Sequence, residues 1–127
     1  MPELTDTQRQ AGSVTLVVCL CAQWCGVCRD YRETFTQAAA RFAPTQFIWV
    51  DIEDEADIVD SLDINDFPTL LVAVNYQPVF YGPLTPRPET LDRLLRSCMD
   101  RPPPALHDAA LQDTLHALVK QLAARKP

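Results

Sequence analysis

An apolar run that leads into a pair of cysteines constrains the fold of this chain more than any other feature. Residues 14–21 (VTLVVCLC) are apolar at both odd and even positions, which is typical of a central parallel strand covered on both faces. A helical pattern starts after Cys25 and continues to residue 42, with apolar side chains at three- and four-residue steps. A buried strand that feeds a helix predicts an α/β fold.

Cys25 and Cys28 lie at this predicted junction between strand and helix. The first sulfur is expected at the helix N-terminus, where unpaired backbone N–H groups and the helix dipole favour a thiolate. The second is expected one helical turn further in, close enough to close a small disulfide ring and to resolve a mixed disulfide. Trp24 adds an apolar wall. The junction predicts thiol–disulfide chemistry, with Cys25 as the attacking thiolate and Cys28 as the resolving thiol.

The stretch Trp24-Cys25-Gly26-Val27-Cys28 resembles the active site of the thioredoxin family, and Phe67-Pro68-Thr69 resembles the family's cis-proline loop. The two motifs come in the family's order, Gly82 lies near the place of a family glycine, and the resemblance covers roughly residues 14–99. It implies a redox-active Cys25–Cys28 disulfide and a cis Phe67–Pro68 bond. It also implies that clients pair with the backbone at residue 67 like an added strand. The substrate-binding residues would be Trp24, Gly26, Val27, Phe67, Pro68 and Thr69.

The chain departs from the family's pattern beneath this site. The family's buried aspartate, which helps move a proton from the resolving thiol, is replaced by Cys19, and its neighbouring lysine is replaced by Trp49. Between the two motif cysteines stands Gly26-Val27 rather than a dipeptide that ends in proline. We therefore expect a shifted reduction potential and slow turnover as a general reductase.

Cys19 and Cys21 lie two apart on the predicted strand, so their side chains share a face. We expect both to be buried packing residues, as free cysteines commonly are. Two other interpretations stay open: a second thiol pair that exchanges with Cys28, and a four-sulfur metal site made by Cys19, Cys21, Cys25 and Cys28. A bond between Cys19 and Cys21 is disfavoured, because alternate side chains of one strand are held parallel.

The remaining pattern predicts the order β-α-β-α-β-β-α, a thioredoxin-like α/β/α sandwich with a mixed four-stranded sheet and a right-handed first crossover. We expect a thioredoxin-like domain over 1–100, a proline-rich spacer over 101–104 and a C-terminal helical extension over 105–127. The extension carries an apolar stripe, and packing on its own domain is the favoured interpretation, ahead of self-pairing or partner docking. That stripe is Leu111, Leu115, Leu118 and Leu122. A short helical turn is also expected within residues 1–13, and the acidic run from Asp51 to Asp60 is expected to be a solvated face.

Composition restricts the function. The net charge of −6 argues against nonspecific nucleic-acid binding, and three glycines could hardly build a phosphate loop. No apolar run approaches a membrane span, and five unevenly spaced cysteines with no leader pattern favour a reducing, cytoplasmic location. No cofactor and no metal are expected.

These features together predict a protein-disulfide reductase, an oxidoreductase that acts on protein disulfides and takes electrons from a thioredoxin-reductase-like donor. A monomer is the default expectation. Two alternatives remain at this stage: an adaptor of the same fold with little redox turnover, and an oxidase or isomerase in an oxidising compartment.

Overall fold

A computed structural model of the chain describes residues 14–42 and 45–125, the side chains of 14, 15 and 122–125 excepted. The predicted helical turn within residues 1–13 and the side chain of Leu122 lie outside the described residues. The described elements follow the predicted order, and the predicted C-terminal helix comes after them. They are β1 (Val14–Cys21), α1 (Gly26–Arg41), β2 (Gln46–Asp51), α2 (Ala56–Val59), β3 (Thr69–Val74), β4 (Gln77–Pro83), α3 (Pro88–Asp100) and α4 (Ala109–Arg125).

The four strands form one mixed sheet in the order β2-β1-β3-β4. β1 runs parallel to β2 and antiparallel to β3, and β3 pairs with β4 as an antiparallel hairpin. Because β1 has a strand on each side and a helical layer over each face, every position from Leu16 to Cys21 is fully buried. This explains why the strand is apolar at consecutive positions.

Alternation along β1 divides the core into two layers. Val17, Cys19 and Cys21 point into what we call the sulfur layer, which also contains Cys28 from α1 and Cys98 from α3. The alternate residues of β1 point into the aliphatic layer, on the opposite face of the sheet, where α2 and α4 contribute side chains. Its buried members are Leu16, Val18, Leu20, Val50, Val59, Leu71, Ala73, Leu111, Leu115 and Leu118.

The C-terminal helix packs on its own domain, as predicted. Leu111, Leu115 and Leu118 are buried in the aliphatic layer, and the Thr114 hydroxyl donates to the Ile58 carbonyl at 3.3 Å. The helix begins at Ala109 rather than at residue 105, because the Asp108 carboxylate accepts the N–H of Leu111 at 3.1 Å and caps the first turn there. Among the described residues, no helix has the length and apolar character needed to cross a membrane.

Candidate active site

The cysteine motif occupies the predicted junction between β1 and α1. Cys25 is the N-cap residue of α1, with an extended backbone (φ −87°, ψ 125°), and its side chain makes no capping hydrogen bond. Its N–H donates to the Ala22 carbonyl at 3.0 Å, and its carbonyl accepts the N–H of Arg29 at 3.1 Å. Cys28 follows in the first turn and is 1% exposed, whereas Cys25 is partly exposed. The more accessible sulfur is therefore the one at the helix N-terminus.

The disulfide of this structure joins Cys28 to Cys21, which differs from the expected Cys25–Cys28 pair. Cys21 ends β1 and points into the sulfur layer, where the first turn of α1 packs on the sheet, and its Cα lies 5.7 Å from that of Cys28. That separation suits a disulfide. Cys25 is left as a free thiol. The expectation that Cys21 only packs was therefore wrong. Of the proposed second thiol pair, Cys21 is bonded to Cys28 and Cys19 is a free thiol.

Cys19 lies beside this disulfide and carries a free, fully buried thiol. Its S–H donates to the Cys21 sulfur, with 3.9 Å between the two Sγ atoms. Burial strongly raises the pKa of Cys19, and the charge of Arg32 opposes the shift only in part. Cys19 is therefore a neutral hydrogen-bond donor at the position where the family carries an acid.

The other replaced position also lies where the resemblance puts it. Trp49 stands directly opposite Cys19 in the β1–β2 register. The Arg32 guanidinium lies over the Trp49 ring, 5.0 Å from its centroid, so a cation still sits above this corner of the sheet.

The four-sulfur metal site is not formed, because two of its sulfurs are joined in the disulfide. Over residues 14–42 and 45–125, we find no cluster of three or more His, Cys, Asp or Glu side chains placed to hold a metal ion.

The two sequence motifs meet at a ring contact. Trp24 is 61% exposed and packs edge-on against Phe67, with 5.7 Å between the ring centroids. The Phe67–Pro68 peptide bond is cis, the geometry that the resemblance implies. Gly26 and Val27 are exposed, whereas Pro68 and Thr69 are buried. A client could thus contact the Trp24 and Val27 side chains directly, but it could not contact the side chains of Pro68 and Thr69.

Two acidic residues that the sequence suggested were only solvated are part of the site's framework. Asp51 accepts the N–H of Gln23 at 2.9 Å with one carboxylate oxygen, and the N–H groups of Glu53 and Asp54 at 2.9 and 3.2 Å with the other. Glu53 accepts the indole N–H of Trp24 at 2.9 Å. The acidic loop after β2 therefore fixes the loop that carries the cysteines, and no motif in the sequence indicates this link.

An open groove of about 420 Å³ runs beside Cys28. Arg29 and Arg32 line it together with acidic side chains from the loop after β2, and the Arg29 guanidinium donates to the Gln23 carbonyl at 3.1 Å. The groove is open and lined by charged side chains, so it gives solvent a route to the side of the otherwise buried Cys28.

This fold and site define a class of protein: a mixed four-stranded sheet with a cysteine at a helix N-terminus beside a cis-proline loop is a thioredoxin fold. The chain belongs to the thioredoxin family, since the family model named Thioredoxin matches residues 6–87. It is 35% identical over 60 residues to a thioredoxin of Mycoplasma genitalium, a match that covers 47% of this chain and 59% of that protein. It is 30% identical over 69 residues to a thioredoxin of Ophiophagus hannah, covering 54% of this chain and 66% of that protein.

Among solved structures, the fold is similar to oxidised thioredoxin from Plasmodium falciparum, with a TM-score of 0.58 and 20% identity over 76% of this chain and 91% of that one. The chain thus matches under two thirds of the length of the curated relatives above, and a larger share of the solved structure.

Proposed function

We propose that this protein is a thiol–disulfide oxidoreductase that reduces protein disulfides. The observation that carries the proposal is the partly exposed, free thiol of Cys25 at the N-terminus of α1, one turn from Cys28. A sulfur in that position can be reached by a client disulfide, and Cys28 is close enough along the helix to resolve the mixed disulfide. Membership of the thioredoxin family supports the same chemistry.

In the proposed reaction, the Cys25 thiolate attacks one sulfur of a client disulfide. A mixed disulfide forms and the client's other sulfur leaves as a thiolate, which takes up a proton. The Cys28 thiolate then attacks Cys25, forms the Cys25–Cys28 disulfide and releases the reduced client. The protein gives up two electrons in each cycle, and a dithiol donor of the thioredoxin-reductase kind restores them. We place this cycle in a reducing, cytoplasmic compartment.

Client recognition is proposed to use the exposed surface around Cys25. Trp24 supplies an apolar wall held by Phe67 and Glu53, and Val27 is a second exposed apolar side chain, two residues after Cys25. An extended client segment would pair with the backbone at residue 67, as strand addition does elsewhere.

The test is the reduction of a test protein's disulfide with dithiothreitol as electron donor. Cys25→Ser should reduce turnover to the uncatalysed rate. Cys28→Ser should accumulate a client mixed disulfide at Cys25, because the resolving thiol is gone. Cys98→Ala is the matched control, since Cys98 is buried in α3 of the same layer and should leave turnover unchanged. Turnover that survives in Cys25→Ser, or a wild-type protein that binds clients without reducing them, would contradict the proposal and favour an adaptor.

A further inference from the structure

The sulfur layer holds more thiol chemistry than the proposed reaction uses. Cys28 is one turn of helix from Cys25 and is bonded to Cys21 at the end of β1. Residues three apart on a helix are neighbours, so Cys28 has two candidate disulfide partners, Cys21 and Cys25. Both sulfurs of the existing disulfide are shielded, because Cys21 is fully buried and Cys28 is 1% exposed.

We propose that Cys21 is a third redox cysteine, which takes over the disulfide from Cys25 after the client has left. The oxidised protein then stores its disulfide inside the core as Cys21–Cys28 and presents Cys25 as a free thiol. This inference rests on the proposed function for its place in a cycle, but the exchange itself can be observed without any client.

The exchange is balanced in atoms and electrons. The Cys21 thiol passes its proton to water beside Cys28, which lines the open groove, and the Cys21 sulfur attacks the Cys28 sulfur of the Cys25–Cys28 disulfide. The Cys21–Cys28 bond forms, the Cys25–Cys28 bond breaks, and Cys25 leaves as a thiolate that takes a proton from water. One disulfide is present before and after, so no outside oxidant or reductant takes part.

Cys19 is placed to make the reverse step possible. When the Cys25 thiolate attacks Cys28, Cys21 must leave as a thiolate in the core, where an unpaired charge is costly. The Cys19 thiol already donates to the Cys21 sulfur at 3.9 Å and would stabilise that thiolate by the same hydrogen bond. Cys19 thus acts through Cys21 and is a positioning residue.

In this arrangement, Cys25 controls the reduction of the buried Cys21–Cys28 disulfide. An external thiolate cannot approach Cys21, and the Cys28 sulfur is nearly covered. Reduction of the stored form must therefore begin with Cys25 attacking Cys28, which brings an oxidised sulfur to the surface where a reductant can meet it.

Disulfide mapping tests the exchange directly. Protein oxidised with diamide is treated with N-ethylmaleimide, denatured at low pH and cleaved after its two tryptophans, Trp24 and Trp49. Cys21 then lies in the fragment 1–24, and Cys25 and Cys28 lie in the fragment 25–49. In wild type, we expect the fragments that carry Cys21 and Cys28 to stay joined until their disulfide is reduced. Cys25 should carry the N-ethylmaleimide label. Cys21→Ala should give separated fragments and lose the Cys25 label. Cys98→Ala should behave as wild type. Cys19→Ala should also give joined fragments, which excludes a bond from Cys19, but dithiothreitol should reduce its Cys21–Cys28 disulfide more slowly than that of wild type, because Cys21 then leaves without the hydrogen bond. Separated wild-type fragments with unlabelled Cys25 would overturn the proposal.

Cys25→Ser keeps the core intact and provides a second test. It should still form the joined fragments, but more slowly than wild type, because diamide must reach the buried thiols directly. Dithiothreitol should likewise reduce it under native conditions about tenfold or more slowly than wild type, because no surface thiol remains to attack Cys28. In urea the two rates should be equal. Equal rates of reduction of wild type and Cys25→Ser under native conditions would overturn the claim that reduction begins at Cys25. A wild type that stores Cys21–Cys28 but reduces no client refutes only the proposed function, whereas turnover without Cys21–Cys28 refutes only this inference.

Discussion

The two sides of the sheet hold cores of different chemistry. The sulfur layer contains four buried cysteines, with Cys25 at its edge, and an aromatic cluster in which Phe35 packs edge-on against Phe47 and Trp49 at 5.2 and 5.8 Å. The buried members of the aliphatic layer carry hydrocarbon side chains alone. All five cysteines of the chain thus lie in or against one layer.

The two layers have different roles: the sulfur layer holds the reactive thiols, and the aliphatic layer stabilises the fold by packing. Sulfurs that exchange must lie within reach of one another and of a surface thiol, so they are collected where β1 ends and α1 begins. The aliphatic layer has no such demand, and it accepts the C-terminal helix as a cover. Mutations in the two layers should therefore change different measurable properties.

The largest expected effect is that of Cys25→Ser on catalysis. Turnover should fall to the uncatalysed rate, while the free energy of unfolding of the reduced protein should rise by about 1 kcal/mol, because serine is a good N-cap and Cys25 makes no capping hydrogen bond. Urea unfolding and the client assay measure the two quantities. A clear loss of stability would show that the Cys25 sulfur contributes to packing and not only to chemistry.

Leu118→Ala tests the aliphatic layer. The side chain is 1% exposed, so its truncation should lower the free energy of unfolding by about 3 kcal/mol and leave turnover per folded molecule unchanged. His116→Ala, on the exposed side of the same helix, is the control and should change stability by less than about 0.5 kcal/mol. A large fall in turnover per folded molecule would mean that the layers are coupled.

The buried thiol of Cys19 should make the sulfur layer sensitive to alkali. Burial raises the pKa of Cys19, so above about pH 8.5 the unfolded chain loses this proton and the folded protein keeps it. Stability is therefore fully present below that pH and falls as pH rises, by up to about 1.4 kcal/mol per pH unit for one such group. Unfolding of the oxidised protein between pH 7 and pH 10.5 should show a shallower decline in Cys19→Ala. Parallel curves would contradict this account of Cys19.

The smallest expected effect concerns the acidic loop. Glu53→Gln weakens the bond to the exposed Trp24 indole, and the loss should be about 0.5 kcal/mol, or roughly a twofold rise in KM for the client with kcat unchanged. Asp57→Asn, on the exposed face of α2, should leave KM unchanged and serves as the control. If both variants raised KM equally, net charge rather than the position of Trp24 would be responsible.

Local patterns predicted the fold and the elements of the site. The apolar run of β1, the helix after Cys25 and the hairpin after Pro68 each follow from neighbouring residues, and so do the relative positions of Cys25 and Cys28 on one helical turn. Cys21–Cys28 was not predictable in the same way, because it depends on how the end of β1 packs against α1. The spacing of Cys19 and Cys21 disfavoured a bond between them but could not select a partner for either.

Long-range contacts account for the other differences. Asp51 reaches a backbone N–H 28 residues earlier in the chain, and a sequence shows only that an acid follows a strand. α4 begins at Ala109, later than the expected residue 105, because Asp108 caps its first turn. The apolar periodicity of the helix does not show which polar residue before it will be the cap.

The most direct test of the central claim is a redox titration of the whole chain against glutathione, with the free thiols trapped and counted. We expect the loss of two thiols per protein at a potential closer to the about −270 mV of thioredoxin than to about −180 mV, as for a reductant, and no loss in Cys28→Ala, because Cys28 is common to both disulfides. A potential near or above about −180 mV would point to an oxidant or isomerase. Failure to form a disulfide at any glutathione ratio would contradict the redox function itself.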